Sequence, residues 1–427
     1  MRHRNMKLRI TLCMLLSGLL LLSNANAQKL LIPMDLRQTD HLKAYGLAFT
    51  ILEQGYGVEW LLNYRGGSFL ADATESFQRE ARLRNVRYES VSNVEVGAIY
   101  ADIEESNADR IKLEKAPRIA VYTPPNKQPW DDAVTLALIY AEIPYETLWD
   151  KEVLTGKLPD YDWVHLHHED FTGQYGKFYR SHGRELWYRQ QQRAFEQMAR
   201  DLGFSKVSTQ KGAVVQAFAG YVREGGFLFA MCSATDTFDI ALASWGLDIA
   251  DTVYDGDPIN PGADRRLDFG QTFAFENFGL VTDPMEYEYS TIDVSPTDER
   301  GLKGADVEAF TLFEFSAKYD PVPTMLTQNH VPIVRGFLGQ TTAFRRSQIK
   351  PSVTILGEVT GSESVKYIHG NVGRGTFTFY AGHDPEDYRH LVGDPPTQLA
   401  LHKNSPGYRL ILNNILFPAA KKQKRKT

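Results

Sequence analysis

The sequence predicts an α/β protein built on a parallel sheet with helices on both faces, a small N-terminal α/β unit and a β-rich insertion. Three observations carry that expectation. Short apolar runs of strand length alternate with stretches whose apolar residues fall at helical spacing. The strand-length runs contain little Asp or Glu, as strands buried on two faces require. Glycines punctuate the pattern, as at Glu224-Gly225-Gly226, where a left-handed turn can stop a helix. At 427 residues the chain is too long for one ordinary core, so two or three packed units are expected. With 43% apolar and 23% charged residues, collagen-like, coiled-coil and disordered classes are excluded.

Residues 1–27 read as a secretory signal peptide. Arg2, Arg4, Lys7 and Arg9 precede an apolar run, Ile10 to Leu22, and Ala25-Asn26-Ala27 supplies a small-residue cleavage site. The run is short for a bilayer span, so no transmembrane anchor is expected, and the mature protein is expected in the periplasm or outside the cell. Removing four positive charges takes the formal net charge from −6 to −10, which makes nucleic acid an unsuitable partner. Cys13 leaves with the signal. Cys232 is then alone, so no internal disulfide can staple the fold.

From residue 28 to a boundary near 115, a strand at Lys29 to Met34, a helix at Thr39 to Glu53 and a strand at Val58 to Tyr64 form βαβ grammar. A further helix is expected from Ala73 to Asn85, and the polar stretch Glu104 to Lys115 reads as a separator. The second unit spans 116–250 and resumes at 369–420. Its strands are expected at Arg118 to Tyr122, Tyr145 to Trp149, Trp163 to His168 and Phe227 to Met231, with a helix from Asp131 capped by that carboxylate. Tyr188 to Leu202, Val214 to Val222 and Thr235 to Trp245 repeat at helical spacing. Residues 251–368 lack a convincing long helix and read as the β-rich insertion. A closing strand, Thr376 to Tyr380, should rejoin the sheet, followed by a helix at Ser405 to Ile415. Residues 421–427 form a basic tail, most simply solvated.

Parallel sheets bind ligands beyond the carboxyl ends of their strands, so the residues that follow each strand are the first candidates. Cys232, with Ser233 beside it, follows Phe227 to Met231 at a sharp strand-to-helix turn flanked by Ala230 and Ala234, the geometry of a nucleophile elbow. The helix behind it would lower a thiol pKa and stabilise negative charge. His383 follows the last strand and could serve as its base, oriented by Glu386 or Asp384. The cluster His165, His167, His168, Glu169 and Asp170 is expected to line the pocket. Residues 165 and 167 share a strand face and could ligate a metal, but the spacing fixes no metal geometry, so no metal or cofactor is assigned. The expected ligand is a small molecule, a sugar or a peptide; the oligomeric state is left open.

The run Gly212 to Thr235, with Tyr221-Val222-Arg223-Glu224-Gly225-Gly226 and Cys232-Ser233-Ala234-Thr235, resembles the class I glutamine amidotransferase-like superfamily, nearest its ThuA-like, trehalose-utilisation branch. Gly373-Arg374-Gly375 and Phe379-Tyr380-Ala381-Gly382-His383 are similar to that branch's late strand and histidine. The resemblance implies a flavodoxin-like sheet with a pocket at Cys232 and His383. In the amidotransferase branch it also implies a thiol that attacks the amide of glutamine. The alternative is a non-catalytic, ThuA-like sugar- or peptide-binding protein. The chain departs from the amidotransferase pattern at Ala230 and Ala234, where glycines are usual, and at Pro385, where an acid is usual. The segments Leu31-Ile32-Pro33-Met34-Asp35 and Asn63-Tyr64-Arg65-Gly66-Gly67 also resemble exported Bacteroidetes proteins labelled asparagine synthetase B. The Ser-Gly-Gly-x-Asp-Ser loop that such synthetases use for ATP is absent from this sequence.

Overall fold

The computed structural model describes residues 28–125, 132–294, 309–314, 316–320, 322, 331–337, 339–387 and 395–420. The expected signal segment, the basic tail, Asp131 and the Asn126 to Trp130 part of the proline-rich loop therefore lie outside the described residues. No helix among the described residues is long and apolar enough to cross a membrane.

Residues 28–113 build an antiparallel sheet from β1 (Lys29–Ile32), β2 (Val58–Leu62), β3 (Ser68–Asp72), β4 (Glu89–Val91) and β5 (Asp109–Leu113), ordered β4-β1-β3-β2-β5. This corrects the βαβ expectation, because β1 and β2 are not neighbours. The cause is the turn after β2: Asn63, Arg65, Gly66 and Gly67 all take positive φ, which folds β2 straight back onto β3 as a hairpin. β1 then pairs along β3's other edge. The polar stretch Glu104 to Lys115 is likewise no separator. It holds the end of an amphipathic helix and β5, whose half-exposed Asp109, Arg110 and Ile111 give an edge strand its polar look.

Three helices pack on this sheet: α1 (His41–Glu53), capped by Asp40, α2 (Glu75–Leu83), capped by Thr74, and α3 (Asn93–Glu105), opened by a Ser92–Glu95 capping box. Trp60 and Phe69 stack beneath α1 at 5.5 Å between centroids, with Tyr45 edge-on to both.

Among the described residues the larger sheet has ten strands. In chain order they are β6 (Ile119–Tyr122), β7 (Glu146–Leu148), β8 (Trp163–Leu166), β9 (Phe227–Met231), β10 (Ala309–Leu312), β11 (Ile333–Arg335), β12 (Phe344–Arg345), β13 (Thr354–Glu358), β14 (Ser364–Val372) and β15 (Gly375–Tyr380). Five run parallel in the order β7-β6-β8-β9-β15. The return of the closing strand to the parallel sheet is thus realised: Thr376 to Tyr380 pairs with Phe227 to Met231. β14, β13, β10 and β11 continue the sheet antiparallel, and β12 pairs with β14. The β-rich segment therefore extends the main sheet rather than standing apart, and β14 crosses the boundary expected at 368.

Alternation along the parallel strands assigns the two faces. Trp163, Phe227, Phe229 and Met231 pack with α1, α4 (Ala133–Ala141) and a late helix, Pro406–Leu416; Val164, Leu166, Leu228 and Ala230 pack on the opposite side. That second side is covered by α5 (Asp150–Leu154), α7 (Val207–Arg223) and α8 (Ala234–Ala243), with α6 (Leu186–Asp201) packed further out; the late helix is α9. The small sheet and the main sheet share the first of these cores. α1 approaches α4 so closely that a Cβ on Gly46 would lie 1.7 Å from the Ala141 carbonyl oxygen. Asp239 on α8 ties down the start of the β-rich segment by accepting from the backbone N–H groups of Phe273, Ala274 and Phe275 at 2.8, 2.7 and 2.9 Å.

Candidate functional site

The polar residues of interest sit where the parallel strands end. β8 is followed at once by His167, His168, Glu169 and Asp170, β9 by Cys232, and β15, after Ala381 and Gly382, by His383. α4, which follows β6, is preceded by Asp132. Asp132 replaces the expected Asp131 as the cap: its Oδ1 accepts from Val134 N at 2.7 Å and Thr135 N at 3.2 Å.

His165 points to the same face as Trp163 and Phe229, and the Phe229 carbonyl lies 3.1 Å from its Nδ1. Its Nε2 is 3.4 Å from Asp132 Oδ1, and His167 Nδ1 is also 3.4 Å from that oxygen. Burial alone would raise the Asp132 carboxyl, but the two imidazoles outweigh it and hold the group well below the usual carboxylate range. On its other edge, His167 Nε2 meets His383 Nε2 at 3.0 Å. His168 closes the group, its ring centroid 3.5 Å from that of His167 and 5.3 Å from that of His383. Both His167 and His383 are 2% exposed. Segments more than two hundred residues apart thus deliver three imidazoles to one place.

The rest of the expected pocket lining divides. Asp170 closes its own loop, accepting from the N–H groups of Thr172 and Gly176. Glu169 turns towards α7, where Lys211 Nζ lies 3.9 Å away, and its carbonyl accepts from Thr237 Oγ1. Ser233 starts α8 and its carbonyl also accepts from Thr237. Glu386 pairs with His402 Nδ1 at 3.1 Å, while Asp384 accepts from the Tyr408 hydroxyl and from the Glu386 backbone N–H. The carboxylate beside the imidazole cluster is Asp132, which no sequence motif singled out. A helix-capping aspartate after the first parallel strand was its one available signal.

The sharp turn expected at Cys232 is present. The residue adopts φ 60°, strained for a side chain other than glycine, and its N–H donates to the carbonyls of Tyr380 and Gly382. The thiol, however, donates to the Gln340 carbonyl from the β-rich segment. Burial pushes it up to about 12; Ser233 lowers it and the neighbouring Asp236 and Asp293 raise it further. The Asp236 carboxyl is itself pushed up to about 7, chiefly by burial. The helix N-terminus expected to activate the thiol is therefore outweighed by desolvation.

Two cavities bear on ligand size. One of about 30 Å³, lined by His168, Asp170, Tyr175 and Phe178 among others, has room for a water rather than a sugar. A groove of about 680 Å³, lined by residues including Phe49, Lys115, Pro117 and Tyr145, lies at the amino ends of β6 and β7, the edge opposite the histidines, and contains neither imidazole nor thiol.

No family model matches this chain, and no curated protein matches it. Solved structures similar to it include the cytoplasmic protein STM3548 from Salmonella typhimurium, at 10% identity and TM-score 0.32, and the cytoplasmic protein STM1381 from Salmonella typhimurium LT2, at 12% and 0.35. Each alignment covers 71% of this chain and 100% of the other. Gan42B, a GH42 β-galactosidase, aligns at 9% identity and TM-score 0.28 over 65% of this chain, which spans only 29% of the galactosidase. Likenesses at these scores carry no argument about what the chain does.

Proposed function

We propose that this chain is an exported protein of the class I glutamine amidotransferase-like superfamily, nearest the ThuA-like branch, that binds a small polar ligand, a sugar or a peptide, through the imidazoles at the carboxyl edge of its parallel strands. The observation that carries the reading is the convergence of His167, His168 and His383 beside Asp132. In chain order the parallel strands run 2-1-3-4-5, the flavodoxin-like order, whose ligand crevice opens between the first and third strands. Asp132 follows the first of these and His167 the third, so the contact between them spans that crevice. The ligand would present a polar group to the imidazoles from outside the small cavity at His168.

A second reading, hydrolysis of an amide or ester by Cys232 with His383 as base and Glu386 as its orienting acid, is favoured by the positive φ of Cys232 ahead of α8. Against it stands the thiol's protonation: with a pKa near 12, on the order of one molecule in ten thousand or fewer would carry a thiolate at pH 7.5.

The test joins calorimetry against a panel of mono- and disaccharides and dipeptides to iodoacetamide labelling at pH 7.5. A panel member that binds the native protein but not His167→Asn, with Cys232 labelled only after denaturation, is the expected result. Prompt native labelling that His383→Ala slows would transfer the chain to the thiol hydrolases.

A further inference from the structure

We infer that His167, His168 and His383 form a binding site for a divalent transition-metal ion, of the zinc type, with Asp132 as its outer-shell carboxylate. The inference deepens the ligand-binding reading and rests on the same crevice. It also reverses the expectation from sequence that no metal is held.

One ring nitrogen from each of the three histidines lies within 4.8 Å of the other two. Zinc–nitrogen bonds of about 2.0–2.1 Å in tetrahedral geometry place ligand nitrogens about 3.3 Å apart. His167 Nε2 and His383 Nε2 already stand at 3.0 Å, close to that spacing. Three nitrogen donors suit zinc and its first-row neighbours, whereas calcium and magnesium demand oxygen. Three ligands also leave a fourth position for water or a ligand oxygen, as in sites that do chemistry rather than hold a fold together.

The outer shell is the second, independent observation. A ligating imidazole usually has its other nitrogen directed at a carboxylate or carbonyl, which sets the tautomer and turns the remaining lone pair inwards. His167 has this arrangement, with Nε2 in the cluster and Nδ1 3.4 Å from Asp132 Oδ1. Asp132 is in turn held by the first two N–H groups it caps on α4, and by His165, whose own Nδ1 lies 3.1 Å from the Phe229 carbonyl. The Cys232 thiol is committed to the Gln340 carbonyl and is not part of the ligand set.

The test uses the full mature chain stripped with chelator and titrated with Zn²⁺ against a chromophoric competitor, then with Co²⁺ in the visible range. One ion per chain is expected, with the intense d–d absorption of a four-coordinate site and no thiolate charge-transfer band. His383→Asn and His168→Gln should each weaken Zn²⁺ at least a hundredfold, and Asp132→Asn about 10- to 100-fold. The His168 variant, at a less buried position, guards against misfolding, and circular dichroism confirms that each variant is folded. Absence of saturable one-to-one binding, retained affinity in folded His168→Gln and His383→Asn, or a sulfur band with cobalt would each overturn the inference. Repeating the sugar and peptide panel on metal-free protein separates the two claims. Ligand binding without metal binding defeats this inference alone, and metal binding without any panel ligand defeats only the ligand reading.

Discussion

The junction between α8 and the β-rich segment rests on one carboxylate, and removing it has a calculable effect. Asp239 is fully buried and accepts three backbone N–H bonds, with Oδ1 serving Phe273 and Oδ2 serving Ala274 and Phe275. At pH 8 it is ionised, since burial lifts its pKa only to about 6. Asp239→Ala leaves three donors unpaired in the core, and a buried unsatisfied group costs about 1–3 kcal/mol. Allowing for relaxation and entering water, the loss should be roughly 3–6 kcal/mol, a large share of the 5–15 kcal/mol typical of folded domains. With a urea m-value of about 3 kcal/mol/M, the midpoint should fall by about 1–2 M. Asp239→Asn keeps one oxygen and should fall between the two, since an amide oxygen at Oδ2 preserves two of the three bonds. The assay is urea unfolding at pH 8 followed by tryptophan fluorescence and circular dichroism together. An Asp239→Ala midpoint within about 0.2 M of the parent, or an Asn variant weaker than the Ala variant, would refute the reasoning.

Three further outcomes follow from the same structure. The Asp236 carboxyl is raised to about 7 by burial, above its ordinary 3.8, so the folded chain binds a proton that the unfolded chain releases. Stability should therefore fall as pH rises from about 4 through 7, and Asp236→Asn should remove a slope worth on the order of 4 kcal/mol at most, as read by urea melts at several pH values. Lys211 is 1% exposed, 3.1 Å from Asp150, 2.8 Å from the Tyr122 hydroxyl and 3.8 Å from the Trp149 ring centroid. Lys211→Met strands a buried carboxylate and should cost about 3–5 kcal/mol, seen as a lowered thermal midpoint. Gly46→Ala would force α1 and α4 apart at the Ala141 carbonyl and should cost about 3 kcal/mol in the same assay, whereas Ala substitution at exposed Gly97, which meets nothing within 4 Å, should be neutral or stabilising.

What could be read from the sequence was the part written in local periodicity. Phe227 to Met231 is apolar along its length and is a parallel interior strand, which is what burial on two faces demands, and Thr376 to Tyr380, where threonine alternates with aromatic residues, pairs parallel to it. The capped helices at His41–Glu53 and Pro406–Leu416 carry their start signals in Asp40 and Ser405. The partner of each strand was not legible in the same way. β1 and β2 read as a parallel pair because a helix separates them, and the sequence around Arg65 does not announce that a non-glycine residue will adopt φ 48° and reverse the chain. At the site, the strand ends led to His167, His168 and His383, which the structure brings together, since that rule depends only on where strands stop. The direction of each side chain depends on packing that no local pattern holds. Asp170 and Glu169 follow the same strand as the histidines yet serve a loop and a helix, and the elbow thiol met a carbonyl from 108 residues downstream.

The pairing of β15 with β9 also bears on the order in which the chain can assemble. Thr376 lies opposite Phe227, 149 positions earlier, so the flank of β9 is the last interior seam to be zipped. Until the C-terminal strand emerges, a five-residue ribbon of Phe, Leu, Phe, Ala and Met presents unpaired amide groups to any neighbouring chain. Such distant closure slows folding and lengthens the window for mispairing. Truncation anywhere between 232 and 374 should therefore yield insoluble material rather than a smaller working unit.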